Sequence, residues 1–312
     1  MKQGKFILSL DFELFWGFGG FNHEFLTNYK SNITNAISAL DEIIRICNEH
    51  GVKVTIAFVG AMRLSSREQF LKEYLSPSFE NIELSSHTLI SSFSDVISED
   101  LIFCKDKIDS LGMNPMVEIA SHTFSHYYCL EKGQNAEDFK RDLEYGYKVN
   151  GPMNSIIFPR NQVSENYLEL CEQYGFTHYR GFVPNWLWKP EASSSRYSLK
   201  GILRLLDTYI PIAGHRTYMI PDSHKGIINV PSSIFLRPYN NSLRLLEPLK
   251  VRRIIQSMTV AARKGECFHL WWHPHNFGAN MEENLAQLAQ ICNAYRQLNA
   301  KYDYTSAFMK EL

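Results

Sequence analysis

The sequence predicts an α/β fold with parallel strands, and two observations support this prediction. Short apolar segments alternate with longer segments whose apolar residues recur every three or four positions, a pattern typical of repeated strand–helix units. Four of the apolar segments also end in polar residues suited to chemistry. Because the carboxyl ends of parallel strands in a barrel share one face, we expect these residues to collect at one site.

The predicted strands are brief apolar segments bounded by charged residues, glycine or proline. They cover residues 6–10, 52–59, 117–120, 155–158, 176–179, 227–231 and 267–272. Helical spacing of apolar residues predicts helices over residues 32–49, 101–111, 136–149, 167–174, 251–262 and 281–298. Glycine follows three of these helices, at positions 51, 112 and 175, as a stop signal.

We expect residues 1–312 to form one domain, since barrels of this length commonly do. Residues 60–100 are polar and irregular and are predicted to carry short helices. The pattern loosens again around residues 180–226, where prolines and a run of serines occur. This composition predicts an irregular excursion that lines or covers a pocket.

The composition narrows the classes of function. The formal net charge is −1, which argues against nucleic acid or an anionic membrane as the main partner. No apolar run approaches the roughly 20 residues of a membrane helix. The apolar segment at 6–10 is too short for a signal sequence and runs directly into acidic residues, so we expect a cytoplasmic protein. Six scattered cysteines without a C-x-x-C pair predict buried free thiols.

The strand predicted at 117–120 runs into a polar segment with His122 and His126 four positions apart. If a helical turn begins there, both imidazoles lie on one face and can aim at one point. Two neutral imidazoles suit zinc or another divalent transition metal, and a carboxylate commonly completes such a site. The alternative is a capped helix N-terminus with two surface histidines.

Three other strand ends carry candidate functional residues. Asp11 and Glu13 flank a phenylalanine, and strand alternation places both carboxylates on one side. Arg160 and Asn161 follow the strand at 155–158, where an arginine could orient a carboxylate through a bidentate pair or lie on the surface after a turn. His273 ends the strand at 267–272, and His275 follows it.

Two tryptophans are candidates for ligand contacts, and the aromatic loop of Trp16 is a candidate rim for a sugar or another ligand. Trp16 lies in a glycine-rich aromatic loop, and Trp272 directly precedes His273. The alternative for both residues is hydrophobic packing, at the mouth of the barrel for the loop and in the core for Trp272.

These motifs together resemble the polysaccharide deacetylases with a NodB-type domain, carbohydrate esterase family four. The segment His122-Thr123-Phe124-Ser125-His126 matches the family's H-[S/T]-x-x-H motif, and Asp11-Phe12-Glu13 resembles a spaced form of its acidic motif. Leu270-Trp271-Trp272-His273 is similar to its late Leu-x-His motif with one extra residue, and Phe158-Pro159-Arg160-Asn161-Gln162 occupies the place of its arginine motif. The run from Trp271 to Asn276 resembles the WbmS-like branch, which is associated with surface-polysaccharide biosynthesis.

The sequence departs from the family pattern in three of these motifs, and the arginine motif at residues 158–162 is rewritten. Glu13 replaces the usual aspartate ligand, and Tyr127 replaces the proline after the second histidine.

The resemblance implies a distorted (β/α)7-type barrel and a metal-dependent hydrolase that removes an N-acetyl or N-formyl group from an amino sugar. The implied cofactor is a divalent metal ion, with Zn²⁺ as the first choice. The expected partner is an amino-sugar substrate carried on a nucleotide or a lipid.

The implied roles are metal ligands at Glu13, His122 and His126; a base at Asp11 oriented by Arg160; an acid at His273; and substrate contacts at Trp16, Asn161, Trp272 and His275. Two alternatives remain: an amidase of the same fold acting on a ureide-like amide, and an inactive sugar-binding module.

Overall fold

The computed structural model describes residues 3–21, 23–92, 98–188, 199–219 and 226–312. Its strands are β1 (Lys5–Phe12), β2 (Val54–Phe58), β3 (Val117–Ser121), β4 (Ser155–Ile156), β5 (His178–Tyr179), β6 (Ile228–Asn229), β7 (Ile234–Phe235), β8 (Cys267–Trp272) and β9 (Thr305–Ala307). They form one sheet in the order β6-β5-β4-β3-β2-β1-β8-β7, and β9 pairs with the first half of β1. Every pairing between these strands is parallel. The predicted α/β fold is therefore confirmed, as a parallel half-barrel.

The helices of the described chain are α1 (His23–Thr34), α2 (Ala36–Glu49), α3 (Arg67–Glu73), α4 (Ser86–Ser92), α5 (Lys105–Gly112), α6 (Ala136–Asn150), α7 (Leu168–Gln173), α8 (Leu199–Leu206), α9 (Glu247–Lys264) and α10 (Met281–Tyr302). Helices α2, α9 and α10 pack side by side over the outer face of the central strands. None of the described helices is long and apolar enough to cross a bilayer.

Alternate residues of β1 face two different cores. Phe6, Leu8 and Leu10 belong to the large outer core beneath the helices. Ile7 belongs to a small inner cluster built from one or two residues of several strands. The inner positions that follow Ile7 are Ser9 and Asp11, so the inner face turns from apolar to polar toward the carboxyl ends of the strands.

Several predicted boundaries differ from the structure. The helix expected over residues 32–49 is two helices, α1 and α2, which meet at Asn35. Strand β1 continues beyond residue 10 to Phe12, since both Asp11 and Phe12 pair with β2. Strand β7 was not predicted, because two residues are too few to show a periodic pattern.

The excursion expected around residues 180–226 lies partly outside the described residues, at 189–198 and 220–225. Its described part centres on the buried carboxylate of Asp207. That carboxylate accepts hydrogen bonds from Arg253 at 2.9 Å and from Trp188 Nε1 at 2.9 Å. No described residue between 182 and 219 lines the pocket discussed below.

Candidate active site

A pocket of about 310 Å³ opens at the carboxyl ends of the central strands. Strand β1 delivers Asp11, and Glu13 follows directly after it; both side chains line the pocket and are buried. The intervening Phe12 points into the outer core, as strand alternation predicts. Residues from five other regions of the chain complete the wall: Gly17, Phe18, Phe21, Phe25, Tyr29, His126, Arg160, Asn161, Phe235, Trp271, His273, His275 and Asn276.

Glu13, His122 and His126 form a compact group that can hold a metal ion. Oε2 of Glu13 lies 3.2 Å from Nε2 of His122 and 2.9 Å from Nε2 of His126. One ligand atom from each residue falls within 4.8 Å of the others, and all three side chains are buried. One carboxylate and two imidazoles make a donor set that suits zinc and related divalent metals.

The other ring nitrogens of both histidines already have partners. Nδ1 of His122 donates to the carbonyl oxygen of Ile157 at 2.8 Å, and Nδ1 of His126 lies 3.1 Å from the hydroxyl of Tyr128. Such outer contacts fix the ring orientation and leave Nε2 free as a ligand. Burial, only partly offset by Glu13, lowers the pKa of His126 to about 4, so its imidazole is neutral at neutral pH. This donor set fits a divalent metal.

The two histidines do not lie on a helical turn, so that prediction is wrong. Thr123 and His126 both have φ of 61°, in the left-handed region, and the segment forms a loop. The carboxylate of Asp142 in α6 holds this loop, accepting hydrogen bonds from the backbone N–H groups of Phe124 (2.7 Å) and Ser125 (3.0 Å). The loop, rather than helical spacing, brings both imidazoles to Glu13.

Glu13 is held in place by close packing and by charge. A Cβ at Gly17 would lie 2.2 Å from Oε1 of Glu13, so only glycine fits against this carboxylate. Burial opposes ionisation of Glu13, but the neighbouring His273 and the close approach of His122 and His126 hold its pKa well below the ordinary range. Glu13 is therefore a fixed, ionised carboxylate.

Asp11 is paired with Arg180, a residue not predicted as part of the site. Arg180 Nη1 donates to Oδ1 of Asp11 at 2.6 Å, and Nη2 donates to Oδ2 at 2.7 Å. Burial alone would raise the pKa of Asp11, but the charge of Arg180 outweighs it and lowers the pKa. The guanidinium is fully buried, lies 4.2 Å above the ring of Trp271, and donates to Asn161 at 2.7 Å.

The predicted pairing of Arg160 with Asp11 is therefore corrected. Arg160 has φ of 51°, and the turn after β4 directs its guanidinium to the rim of the pocket. There it donates to the carbonyl oxygen of Gly19 at 2.9 Å and lies 4.4 Å over the ring of Tyr128. The next residue, Asn161, turns inward and holds Arg180 through its Oδ1, so it acts on the arginine as well as lining the pocket.

His273 lies beside both carboxylates of the pocket. Its Nε2 is 3.7 Å from Oδ2 of Asp11 and 3.5 Å from Oε1 of Glu13. Its Nδ1 lies 3.4 Å from the side-chain amide of Asn276, which in turn accepts a hydrogen bond from Tyr29 at 2.7 Å. The ring of His275 stacks on that of His273, with centroids 5.0 Å apart. The structure thus brings His273 and His275 to the predicted site.

Neither candidate tryptophan faces the pocket, so both predicted substrate contacts are corrected. Trp16 is buried against Phe70 and donates from Nε1 to the carbonyl oxygen of Ile102 at 2.9 Å. Trp272 is fully buried in the outer core and stacks on Phe277. The tryptophan that lines the pocket is Trp271, because its side chain alternates to the same face as His273.

Sequence reasoning missed Arg180 and Trp271, although signals for both were present. Arg180 directly follows the predicted strand at 176–179, so the rule that polar strand ends build the site applies to it. Strand alternation pairs Trp271 with His273 rather than Trp272. Tyr29 on α1 carried no comparable signal, since it reaches the pocket through tertiary packing alone.

Comparison with known proteins supports the fold but names no family. No family model matches the chain, and no curated protein sequence matches it. A solved structure of a protein named as a polysaccharide deacetylase from Mycobacterium smegmatis superposes with a TM-score of 0.54 at 11% identity, covering 99% of this chain and 89% of that one. The PuuE allantoinase gives 0.50 at 11% identity over 97% and 86%. The alpha-amylase AmyC from Thermotoga maritima gives 0.55 at 10% identity over 99% and 74%. At these identities the similarity establishes a shared fold.

Proposed function

We propose that this protein is a metal-dependent hydrolase that removes an N-acyl group, acetyl or formyl, from an amino sugar. The observation that carries the proposal is the ion pair of Asp11 with Arg180 beside the group of Glu13, His122 and His126, since it sets an ionised base next to metal ligands. His273 lies within 3.7 Å of Asp11 and would serve as the proton donor. Asp11, Glu13, His126 and His273 line one pocket, and His122 lies 3.2 Å from Glu13.

The metal would be held by Glu13, His122 and His126. A divalent ion bound there would polarise the amide carbonyl as a Lewis acid and would lower the pKa of water. Neither the substrate nor the solvent supplies these two effects by itself. We propose Zn²⁺ as the first choice on the basis of the ligand types.

Asp11 would take the proton of the attacking water at one of its carboxylate oxygens. Arg180 keeps this carboxylate ionised and fixes its plane through two hydrogen bonds. Because both oxygens are bonded to the guanidinium, the proton adds to a remaining lone pair that faces the pocket. Arg180 is therefore a positioning residue rather than a catalytic one.

His273 would donate a proton from Nε2 to the departing amine, a step typically worth about 10²–10⁴-fold in rate. The chain Tyr29–Asn276–His273 supports this role. The Tyr29 hydroxyl can donate or accept, so the Asn276 amide can present either its NH₂ or its oxygen to Nδ1. His273 can therefore be held in the neutral and in the protonated form.

The walls of the pocket suit a sugar ring. Phe18, Phe21, Phe25 and Tyr29 form an aromatic cluster with ring centroids 4.5–6.1 Å apart. Trp271 and Phe235 form a second aromatic surface, with centroids 4.8 Å apart. Aromatic faces combined with a few polar groups are typical of pockets for small polar ligands.

We further propose a cytoplasmic enzyme, with residues 1–312 as one catalytic domain, that acts on a nucleotide- or lipid-linked precursor of a surface polysaccharide such as an O-antigen. The six cysteines are free thiols, which is typical of a reducing compartment. The link to surface polysaccharides rests on the resemblance of the segment from Trp271 to Asn276 to the WbmS-like branch.

The test is product release from a panel of substrates by zinc-loaded protein. We expect acetate or formate to appear from N-acylated amino-sugar nucleotides, and Asp11→Asn to retain metal while losing turnover. Release from a cyclic ureide instead of a sugar would favour the amidase alternative. Binding of sugars without turnover of either substrate class would favour the inactive sugar-binding module.

A further inference from the structure

Glu13 belongs to a second group of possible ligands on the other side of the pocket. Its Oε2 faces His122 and His126, whereas its Oε1 lies 3.5 Å from Nε2 of His273. One ligand atom each from Glu13, His273 and His275 fall within 4.8 Å of one another. The two groups share only Glu13, whose Oε2 faces His122 and His126 and whose Oε1 faces His273.

We propose that Glu13, His273 and His275 form a second divalent-cation site, and that its occupancy inhibits the enzyme by removing His273 from proton transfer. This inference rests on the proposed function, because inhibition matters only if His273 donates a proton. Glu13 would bridge the two ions, one through each carboxylate oxygen. In known two-metal sites the ions lie about 3.5–4 Å apart, a spacing that a bridging carboxylate spans.

His275 supplies an independent observation. Its side chain is only 6% exposed, and its Nδ1 has no hydrogen-bond partner among the residues that the structure describes. A buried ring nitrogen without a partner costs free energy, and such groups commonly mark a bound ion or water. His275 lines the same pocket as Glu13 and His273, so an ion bound through Nδ1 would give this nitrogen a partner.

The second site should be the weaker of the two. His122 and His126 are both buried and are oriented by Ile157 and Tyr128, whereas the side chain of His273 is 23% exposed. Outer contacts of this kind typically raise metal affinity about 10–100-fold. We therefore expect the first ion to activate the enzyme and excess metal to inhibit it.

The inhibition follows from the chemistry of the imidazole. A ring nitrogen that coordinates a cation has no free lone pair to carry a proton. Nε2 of His273 faces Glu13, so it is the nitrogen that would coordinate and also the one that would donate. Filling the second site and protonating the amine are therefore mutually exclusive.

The experiment titrates zinc into chelator-treated protein. Calorimetry measures zinc binding, and elemental analysis after dialysis measures the zinc that the protein retains. We expect two classes of site in the wild type. His275→Ala and His273→Ala should each lose the weaker class and keep the tighter one, whereas His122→Ala should lose the tighter class. His50→Gln, at the end of α2 and remote from the pocket, is the control and should bind two ions.

One ion per chain in the wild type, unchanged by His275→Ala, would overturn the second site and leave the proposed function intact. No bound zinc at any concentration would overturn both. If the alanine variants do not fold, Co²⁺ titration of the wild type decides the question. If a second equivalent of Co²⁺ changes the visible absorption spectrum further, the result supports the second site. If the spectrum stops changing after one equivalent of Co²⁺, the result overturns the second site.

Discussion

Arg180 holds both carboxylate oxygens of Asp11, at 2.6 and 2.7 Å, from the end of a strand that lies four places away from β1 in the sheet. Both partners are buried, and the arginine is also held by Asn161 and Trp271. A bidentate pair of this kind gives the carboxylate one charge state and one orientation. The proposed base, Asp11, is thus already ionised and oriented before the substrate binds.

The first prediction concerns this pair. In Arg180→Gln the charge that lowers the pKa of Asp11 is gone and burial remains, so the pKa of Asp11 should rise. Asp11 then becomes protonated at a higher pH, and the acid limb of kcat/KM should move to higher pH. We expect a fall in kcat of about 10²–10⁴-fold, the typical contribution of a general base.

Arg160→Gln is the matched control for that variant. Arg160 contacts Gly19 and Tyr128 rather than Asp11, so its loss should not move the acid limb. If Arg160→Gln shifts the pH profile and Arg180→Gln does not, the assignment of the positioning arginine is wrong.

The second prediction concerns Gly17. In Gly17→Ala the new methyl group would lie 2.2 Å from Oε1 of Glu13, so the carboxylate must rotate away from His122 and His126. We expect weaker zinc binding, measured by calorimetry, with a nearly unchanged Tm in the metal-free protein. Gly112→Ala is the control, because its nearest new contact is an ordinary 3.7 Å. Equal zinc affinity in both variants would contradict the packing argument.

The third prediction concerns the loop that carries His122 and His126. Asp142→Ala removes the acceptor of the Phe124 and Ser125 amides and of the Ser125 hydroxyl, and so releases the left-handed conformation at His126. We expect zinc affinity to fall by about 10–100-fold, as for other outer contacts of metal sites.

The control for Asp142→Ala is Glu137→Ala, an exposed residue of the same helix, α6. This variant should bind zinc as the wild type does. A zinc affinity in Asp142→Ala that equals that of Glu137→Ala would show that the loop holds its conformation without the carboxylate.

The fourth prediction separates the two neighbouring tryptophans. Trp271→Ala removes a wall of the pocket, so KM for the sugar substrate should rise. Trp272→Ala leaves a cavity at a fully buried site in the outer core and should lower the free energy of unfolding by about 3–5 kcal/mol. Denaturant unfolding and steady-state kinetics measure the two effects. A rise in KM confined to Trp272→Ala would reverse the assignment.

The sequence was sufficient for the fold and for the ligand group because both depend on local patterns. Strand–helix alternation predicted the parallel sheet, and polar strand ends placed Asp11, Glu13, His126 and His273 in one pocket, with His122 grouped beside Glu13. The backbone conformation of the loop that carries His122 and His126 could not be predicted from local patterns. Its left-handed residues depend on Asp142, which is held 16 to 20 positions away on another element.

The arginine and tryptophan assignments failed for different physical reasons. Arg160 follows a proline turn whose direction is set by its φ of 51°, which no sequence pattern encodes. Trp272 directly precedes His273, and alternation along β8 sends the side chains of adjacent residues to opposite faces. The direction of Arg160 could be established only from the structure. The direction of Trp272 follows from strand alternation and was therefore predictable from the sequence.

The most direct test of the central claim is the metal content of purified protein, measured by elemental analysis without added metal or chelator. We predict at least one zinc or similar divalent ion per chain. In His122→Ala, which removes one ligand of the tight group, the tightly bound metal and the activity should be lost together while the fold is retained. Wild-type protein that holds no metal even after incubation with zinc, or full activity in metal-free His122→Ala, would contradict the account.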